Sequence, residues 1–403
     1  MKYIMGLNRI IQSISMNLLK TFYFPLQMSE FIDKRLSCNI ACLFITNSLH
    51  INTFIQTRGI IMHFKKLLYS FIMGILALAL AACGGDESST SGNNASAEGE
   101  TRVFKIAHVV QENHVWNVTA QKFGEELRKL SDGRFDIEIH PASTLGTEAD
   151  MVQQLETGAI DFGFMTNAYM STRQDSLNAW FMPYLFGSLE EAVKMRESEP
   201  AKQMLEELSS QGLVGLDFMF AGNRHVLMKD GFAESPKDLK GKKIRIIGSP
   251  AMQSYWEKVG AGPTAMPLNE VYTSLQTGVI DGIDIDLDAL VTEKYYEVAK
   301  YLTLTNQMTF PTVIVMSKAV YDSLTPEDQE IIRTAMKNAV DWGVQEAIRR
   351  EESNLQALKD AGIEVLEEID PSKFQTVTNE VRNEFSKKSD IIKAFIEEAE
   401  GGK

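Results

Sequence analysis

The chain has 403 residues, 44% hydrophobic and 23% charged, the composition of a globular protein with room for two or three domains and not of a disordered one. Its net charge of −14 is unevenly spread, because residues 83–403 hold 52 acidic against 32 basic side chains. A surface that acidic repels nucleic acid and anionic lipid, which argues against both as partners of the globular part.

The basic surplus lies near the start. Lys65-Lys66 precedes an apolar run from Leu67 to Ala82, and Cys83-Gly84-Gly85 follows at once. This is the order of a secretory signal peptide over residues 62–82, and its run of sixteen residues, nearly all apolar, is too short for a comfortable membrane span. Leu80-Ala81-Ala82-Cys83 resembles a bacterial lipobox, which makes Cys83 the lipidated first residue of the mature protein; an uncleaved short anchor is the alternative. Either way the rest of the chain faces outward, on the extracytoplasmic side of the membrane. Residues 1–61 read as an upstream mis-start before Met62, or as an unusually long leader, and the Cys38/Cys42 pair there has no partners to make a metal site. Residues 83–100 are rich in Gly, Ser, Asn and Glu and read as a flexible tether.

The folded part begins with a strand over Val103–Val109, a polar loop Gln111–His114, a helix over Val115–Leu130 and a strand over Arg134–Ile139. A capped helix then follows Thr144–Glu148. This order implies a largely parallel sheet with right-handed crossovers. Ligands in such sheets sit beyond the carboxyl ends of the strands, which gathers Gln111, His114, Glu148, Thr166 and Asn167 near one opening. The aromatic segment Trp180–Phe186 reads first as core packing. A helical stretch over 189–209 and a strand over Leu213–Phe220 lead to Ala221-Gly222-Asn223-Arg224-His225, where one α/β pattern stops and another starts.

The second pattern centres on Lys242–Leu290. Ile244, Ile246 and Ile247 mark a strand, Pro250–Val259 a helix, and Gly260–Gly262 a corner. Asn269 is placed to cap a helix carrying Val271 and Leu275, and Ile280–Leu287 reads as a strand edge. Leu275–Asp281 repeats Leu155–Asp161 as L-x-T-G-x-I-D, which points to two similar lobes. Phe310–Met316 is a further strand, residues 326–358 one long helix starting on Pro326, and 363–366 and a last acidic helix close the chain. The expected fold class is therefore α/β and two-lobed, with lobe I over 101–223 and 311–350 and lobe II over 224–310 and 351–403.

Catalytic machinery is hard to find. The sequence has no G-x-S-x-G elbow, P-loop or H-E-x-x-H, and its histidines lack metal-ligand spacing. Asp284-Ile285-Asp286-Leu287-Asp288 resembles the start of a calcium loop, but Ala289 and Tyr295 occupy the positions that need Gly and Glu; a cation site of another kind on those carboxylates stays open. No metal or cofactor is expected. What remains is Arg245, a charge within an apolar strand. If buried it needs a partner, either a neighbouring acid or a ligand carboxylate, for which its planar fork is suited.

Residues 101–400 resemble the extracytoplasmic solute-binding subunit of tripartite ATP-independent periplasmic (TRAP) transporters. The resemblance rests on Leu145-Gly146, Leu155–Asp161, Met182–Phe186, Asp238–Arg245, Gly260–Pro267, Glu270-Val271-Tyr272 and Tyr295–Val298. It implies a periplasmic-binding-protein-like fold, two lobes with hinge strands and a long spanning helix, closing on an organic acid that is handed to membrane permease subunits. It implies that Arg245 grips the ligand carboxylate, that Arg224 is a second arginine, and that Glu148, Thr166 and Gln307 take pocket positions. The sequence departs from the family where many members carry an asparagine that bonds the carboxylate, since Ile285 stands there. Asp284 and Asp286 would then address hydroxyls, which favours a sugar acid such as a uronate over a C4-dicarboxylate. Presentation of the ligand to a membrane sensor is an alternative reading, and hydrolysis through Glu148 and Asp284 a remote one.

Overall fold

The computed structural model describes residues 101–401, which lie within one compact unit, Ser96–Lys403. The expectations for residues 1–100, including the signal segment, Cys83 and the tether, fall outside the described residues.

Two sheets organise the chain. The first has the strand order β2-β1-β3-β10-β4, with β1 Arg102–His108, β2 Phe135–His140, β3 Phe162–Thr166, β4 Leu213–Asn223 and β10 Thr309–Ser317. The second runs β11-β9-β5-β8-β6-β7, built from β5 His225–Met228, β6 Lys243–Ile246, β7 Gly262–Ala265, β8 Gly282–Ile285, β9 Tyr301–Thr303 and β11 Glu364–Leu366. Strands β1, β2 and β3 are parallel, as are β6, β7 and β8. Strand β10 runs antiparallel to both its neighbours, and so does β5. Both sheets are thus mixed and each is flanked by helices.

The repeated heptapeptide has the same work in both sheets. Helix α2 (Glu148–Thr157) ends on Gly158 at φ 75° and α6 (Leu268–Thr277) on Gly278 at φ 76°, a left-handed conformation that glycine adopts without Cβ strain. The aspartate that follows then bonds the neighbouring parallel strand. Asp161 accepts from the Lys105 amide at 2.7 Å and Asp281 from the Lys243 amide at 2.8 Å. The motif reverses the chain out of a helix and fixes the start of β3 against β1 and of β8 against β6.

The chain crosses between the sheets three times. It crosses at Asn223–His225, again between β9 and β10, and along the 35-residue helix α8 (Pro326–Asp360). Proline at its first position and Thr325 as N-cap start α8. It lies on α1 (Val115–Leu130) where Gly343 leaves no room, since a Cβ there would meet Thr119 Oγ1 at 2.3 Å. Its far end buries Leu358 with Ile283, Leu290 and Leu302 of the second sheet's core.

Four expectations are corrected. The helix over 189–209 is broken into α3 (Leu189–Lys194) and α4 (Glu199–Glu207), because Pro200 has no amide to donate and sits in a first turn. The corner at Gly260–Gly262 runs straight into an unexpected strand, β7, where Pro263 is tolerated at a sheet edge. The strand over 280–287 stops at Ile285, and Asp286 turns the chain by capping α7 (Leu287–Thr292). The last two helices also divide. After α5 (Pro250–Val259), α9 (Gln375–Phe385) packs on that helix. However α10 (Asp390–Gly401), expected with lobe II, packs on the first lobe instead, where Phe395 meets Trp180 with centroids 4.7 Å apart. Trp180 itself is fully buried against Phe218 and Phe220.

Candidate functional site

Strand ends from both sheets converge on one cavity of about 330 Å³. From the first lobe come His114, Trp116, Glu148, Thr166 and Tyr169, and from the second and the crossings Arg224, Arg245, Met266, Asn269, Asp286 and Phe310. Thr166 ends β3, Arg245 sits one residue before the end of β6, and Asp286 follows β8. The cavity therefore occupies the place beyond the carboxyl ends of the parallel strands where α/β folds bind ligands.

Arg245 is 1% exposed. Its Nε and Nη2 donate to the Met266 carbonyl at 3.1 and 2.9 Å, and its Nη1 has no partner. No carboxylate of the described residues forms an ion pair with it. Burial pulls its pKa down to about 10, so it remains a cation at neutral pH. A buried charge held only by one carbonyl is costly.

Arg224 is also fully buried but fully engaged. It donates to the Asp284 side chain and carbonyl and to Asp286 at 3.0 Å, and its guanidinium lies 4.2 Å from the centroid of Phe310. The expectation that Arg224 offers a second free fork is thus corrected: it is matched by two aspartates. Asp284 is used up in the same cluster, accepting from Trp256 Nε1 at 2.8 Å and Gln307 Nε2 at 3.2 Å. Neither Asp284 nor Gln307 lines the cavity. Asp286 does line it while accepting from Arg224 and from the Ala289 amide at 2.8 Å.

Glu148 opens α2 beside Thr147, which caps the helix reciprocally with Asp150. Its Oε1 accepts from the Thr166 amide at 2.6 Å and its Oε2 from the Thr166 hydroxyl at 3.0 Å. Burial lifts its pKa to about 7 against those bonds and the Arg245 charge. His114 accepts from the Trp116 amide through Nδ1 at 3.1 Å, which leaves its proton on Nε2, 3.6 Å from Asp288. Burial lowers its pKa.

Two further expected residues stand apart from the cavity. Gln111 donates to Glu293 at 3.1 Å, and Asn167 holds the Leu177 carbonyl at 2.8 Å. Conversely, Trp116, Tyr169 and Asn269 line the cavity without having been singled out for it. The cap of α6 is Pro267, two residues before the expected Asn269, which puts Asn269 in the first turn, lining the cavity. Tyr169 and Trp116 had no signal in the sequence, because an aromatic beside a strand end reads the same in a core and in a pocket.

Two α/β lobes flank one cavity that holds a buried arginine without an ion pair, the arrangement of a solute-binding protein. The model of the bacterial extracellular solute-binding protein family 7 matches residues 106–388, and the chain belongs to that family. A 2,3-diketo-L-gulonate-binding periplasmic protein of Escherichia coli K12 is 29% identical over 286 residues, 70% of this chain and 87% of the relative. The C4-dicarboxylate-binding periplasmic protein of Rhodobacter capsulatus is 29% identical, over 67% of this chain and 81% of its own. A crystal structure of a TRAP periplasmic solute binding protein from Xanthobacter autotrophicus with bound β-D-galacturonate superposes with a TM-score of 0.69. It is 31% identical and covers 73% of this chain and 99% of its own.

Proposed function

We propose that the protein captures a sugar acid by clamping its carboxylate on Arg245 as the lobes close, and delivers it to a TRAP permease for ion-driven uptake. One observation carries this reading. A fully buried arginine lining the cavity has an unpartnered Nη1 and makes no ion pair among the described residues, and a ligand carboxylate supplies what it lacks. The Asp286 carboxylate on the cavity wall calls for donors on the ligand, which a uronate or aldonate has and succinate lacks. The galacturonate and diketogulonate named for two relatives agree with that choice. The Leu80–Cys83 motif supports a lipid anchor holding the protein at the extracytoplasmic face of the membrane.

Thermal melting against a panel of uronates, aldonates, keto acids and dicarboxylates tests the reading, beside Arg245→Ala. Ligand at a hundred times its Kd stabilises by about 2.7 kcal/mol, read as a rise of several degrees. A uronate should shift the native protein and not the variant. A shift of equal size in both would remove Arg245 from the site.

A further inference from the structure

We propose that Glu148 receives the ligand as a neutral carboxylic acid, so that above neutral pH each captured organic anion brings a proton from solvent into the cavity. This rests on the clamping of the ligand carboxylate by Arg245. The argument is one of charge. Of the arginines lining the cavity, Arg224 on the β4–β5 crossing is already matched by Asp284 and Asp286. His114, at the head of α1, spends Nδ1 on a backbone amide and is neutral. That leaves one unmatched cation, Arg245 of β6, and one unmatched carboxylate, Glu148 of α2, each lining the same space and neither in contact with an opposite charge.

In the empty cavity these two charges offset each other at a distance. A ligand carboxylate seated on Arg245 takes the only cation available. Glu148 would then face a second anion inside a closed, poorly solvated space, with the Arg224–Asp284–Asp286 cluster already carrying an excess negative charge behind it. Two carboxylates beside a single cation cannot both stay ionised at low cost, and one of them takes a proton. The α2 dipole favours the charge on Glu148, but its burial already places it at about 7 with the cavity empty, so an added anion is enough to tip it. Oε1 stays an acceptor for the Thr166 amide. Oε2, whose partner is a hydroxyl free to rotate, takes the proton and can donate it to a ligand oxygen.

The sign follows from linkage. A carboxyl group whose pKa is higher with ligand bound supports full affinity below its free value and loses it as pH rises through the window between the two. Titration calorimetry of the purified protein with galacturonate, in buffers of different ionisation enthalpy, counts the protons. We expect close to one proton taken up per galacturonate at pH 8, falling toward none at pH 6, and a loss of affinity approaching tenfold per pH unit above 8. Glu148→Gln, which mimics the neutral acid, should bind with no proton uptake and an affinity flat across that range. Glu351 of α8 accepts from the Asn223 amide at 3.0 Å at the crossing between the sheets and does not line the cavity, so Glu351→Gln should leave the proton count as it is.

Binding without proton uptake in the native protein overturns the proposal, as does uptake that persists in Glu148→Gln. Affinity that depends on sodium with no change in proton count also overturns it, since a cation would then neutralise the site. If no acid in the panel binds at all, the clamping reading itself fails, which is a different result from binding without a proton.

Discussion

Arg245, a charge between two isoleucines, and Arg224, in the polar run Asn223–His225, are both buried arginines, and the structure separates them by their partners. Arg224 has two aspartates and an aromatic face, so its removal would strand buried carboxylates at a cost of about 3–5 kcal/mol. Arg245 has one carbonyl. In Arg245→Ala we therefore expect the melting temperature without ligand to stay close to that of the native protein or rise, while the response to ligand vanishes; a large loss of stability would mark Arg245 as structural. The histidines give a second residue-scale expectation. His108 is fully buried, bonded to Asn117 at 3.1 Å, and burial lowers its pKa to about 4. Below pH 6.5 the unfolded chain binds a proton there that the folded one refuses, so stability falls as pH drops from 6.5 toward 4. His108→Gln should remove about 2 kcal/mol of that loss at pH 5, read as a smaller shift in urea midpoint between pH 7 and 5. Arg245 was legible because a charge breaks the β6 pattern. The neutralisation of Arg224 was not, because its partners arrive from a strand some sixty residues later.

The secondary elements were legible wherever local chemistry fixes them. Capping residues, left-handed glycines and Pro at a first turn gave α1, α2, α5 and α8 their starts or ends, and the repeated heptapeptide revealed the two lobes. What periodicity missed were short pieces, β7 and β9, whose existence depends on a neighbour to pair with and not on their own composition. Close approach between elements is also invisible in sequence until a glycine demands explanation. Gly343 is such a case, as α8 meets α1 there with no space for a methyl group. Gly343→Ala gains helix propensity but forces the helices apart, and we expect a net loss of about 1–3 kcal/mol in chemical denaturation, without a change in ligand specificity. A stabilised variant would mean that α8 can slide without cost.

Across the whole molecule, the lobes are tied at one buried carboxylate that does not touch the cavity. Asp288, at the start of α7, accepts from the Val115 amide at the head of α1 at 2.7 Å, and from Asn354 and Arg350 of α8 at 2.9 and 3.3 Å. It thus joins the second lobe to the first and to the helix that spans them. Asp288→Ala leaves the Val115 amide and the Asn354 side-chain amide without an acceptor, and we expect galacturonate to bind at least tenfold more weakly although no ligand contact is removed. Small-angle scattering of the ligand-free variant should show a larger radius of gyration; an unchanged radius with unchanged affinity would show that Asp288 merely caps α1.

The interleaving of the two sheets also decides when the chain can fold. Strand β10 lies between β3 and β4, yet it is delivered after every strand of the second sheet except β11. Until residue 317 has emerged, the first sheet lacks the strand that joins its two halves, and until residue 366 has emerged the second lacks its edge. A chain passed through a membrane from its N-terminus would therefore travel most of its length with neither sheet able to close. Late delivery of β10 also means that the cavity, whose wall includes Phe310 of that strand, cannot form before the chain is complete through residue 317.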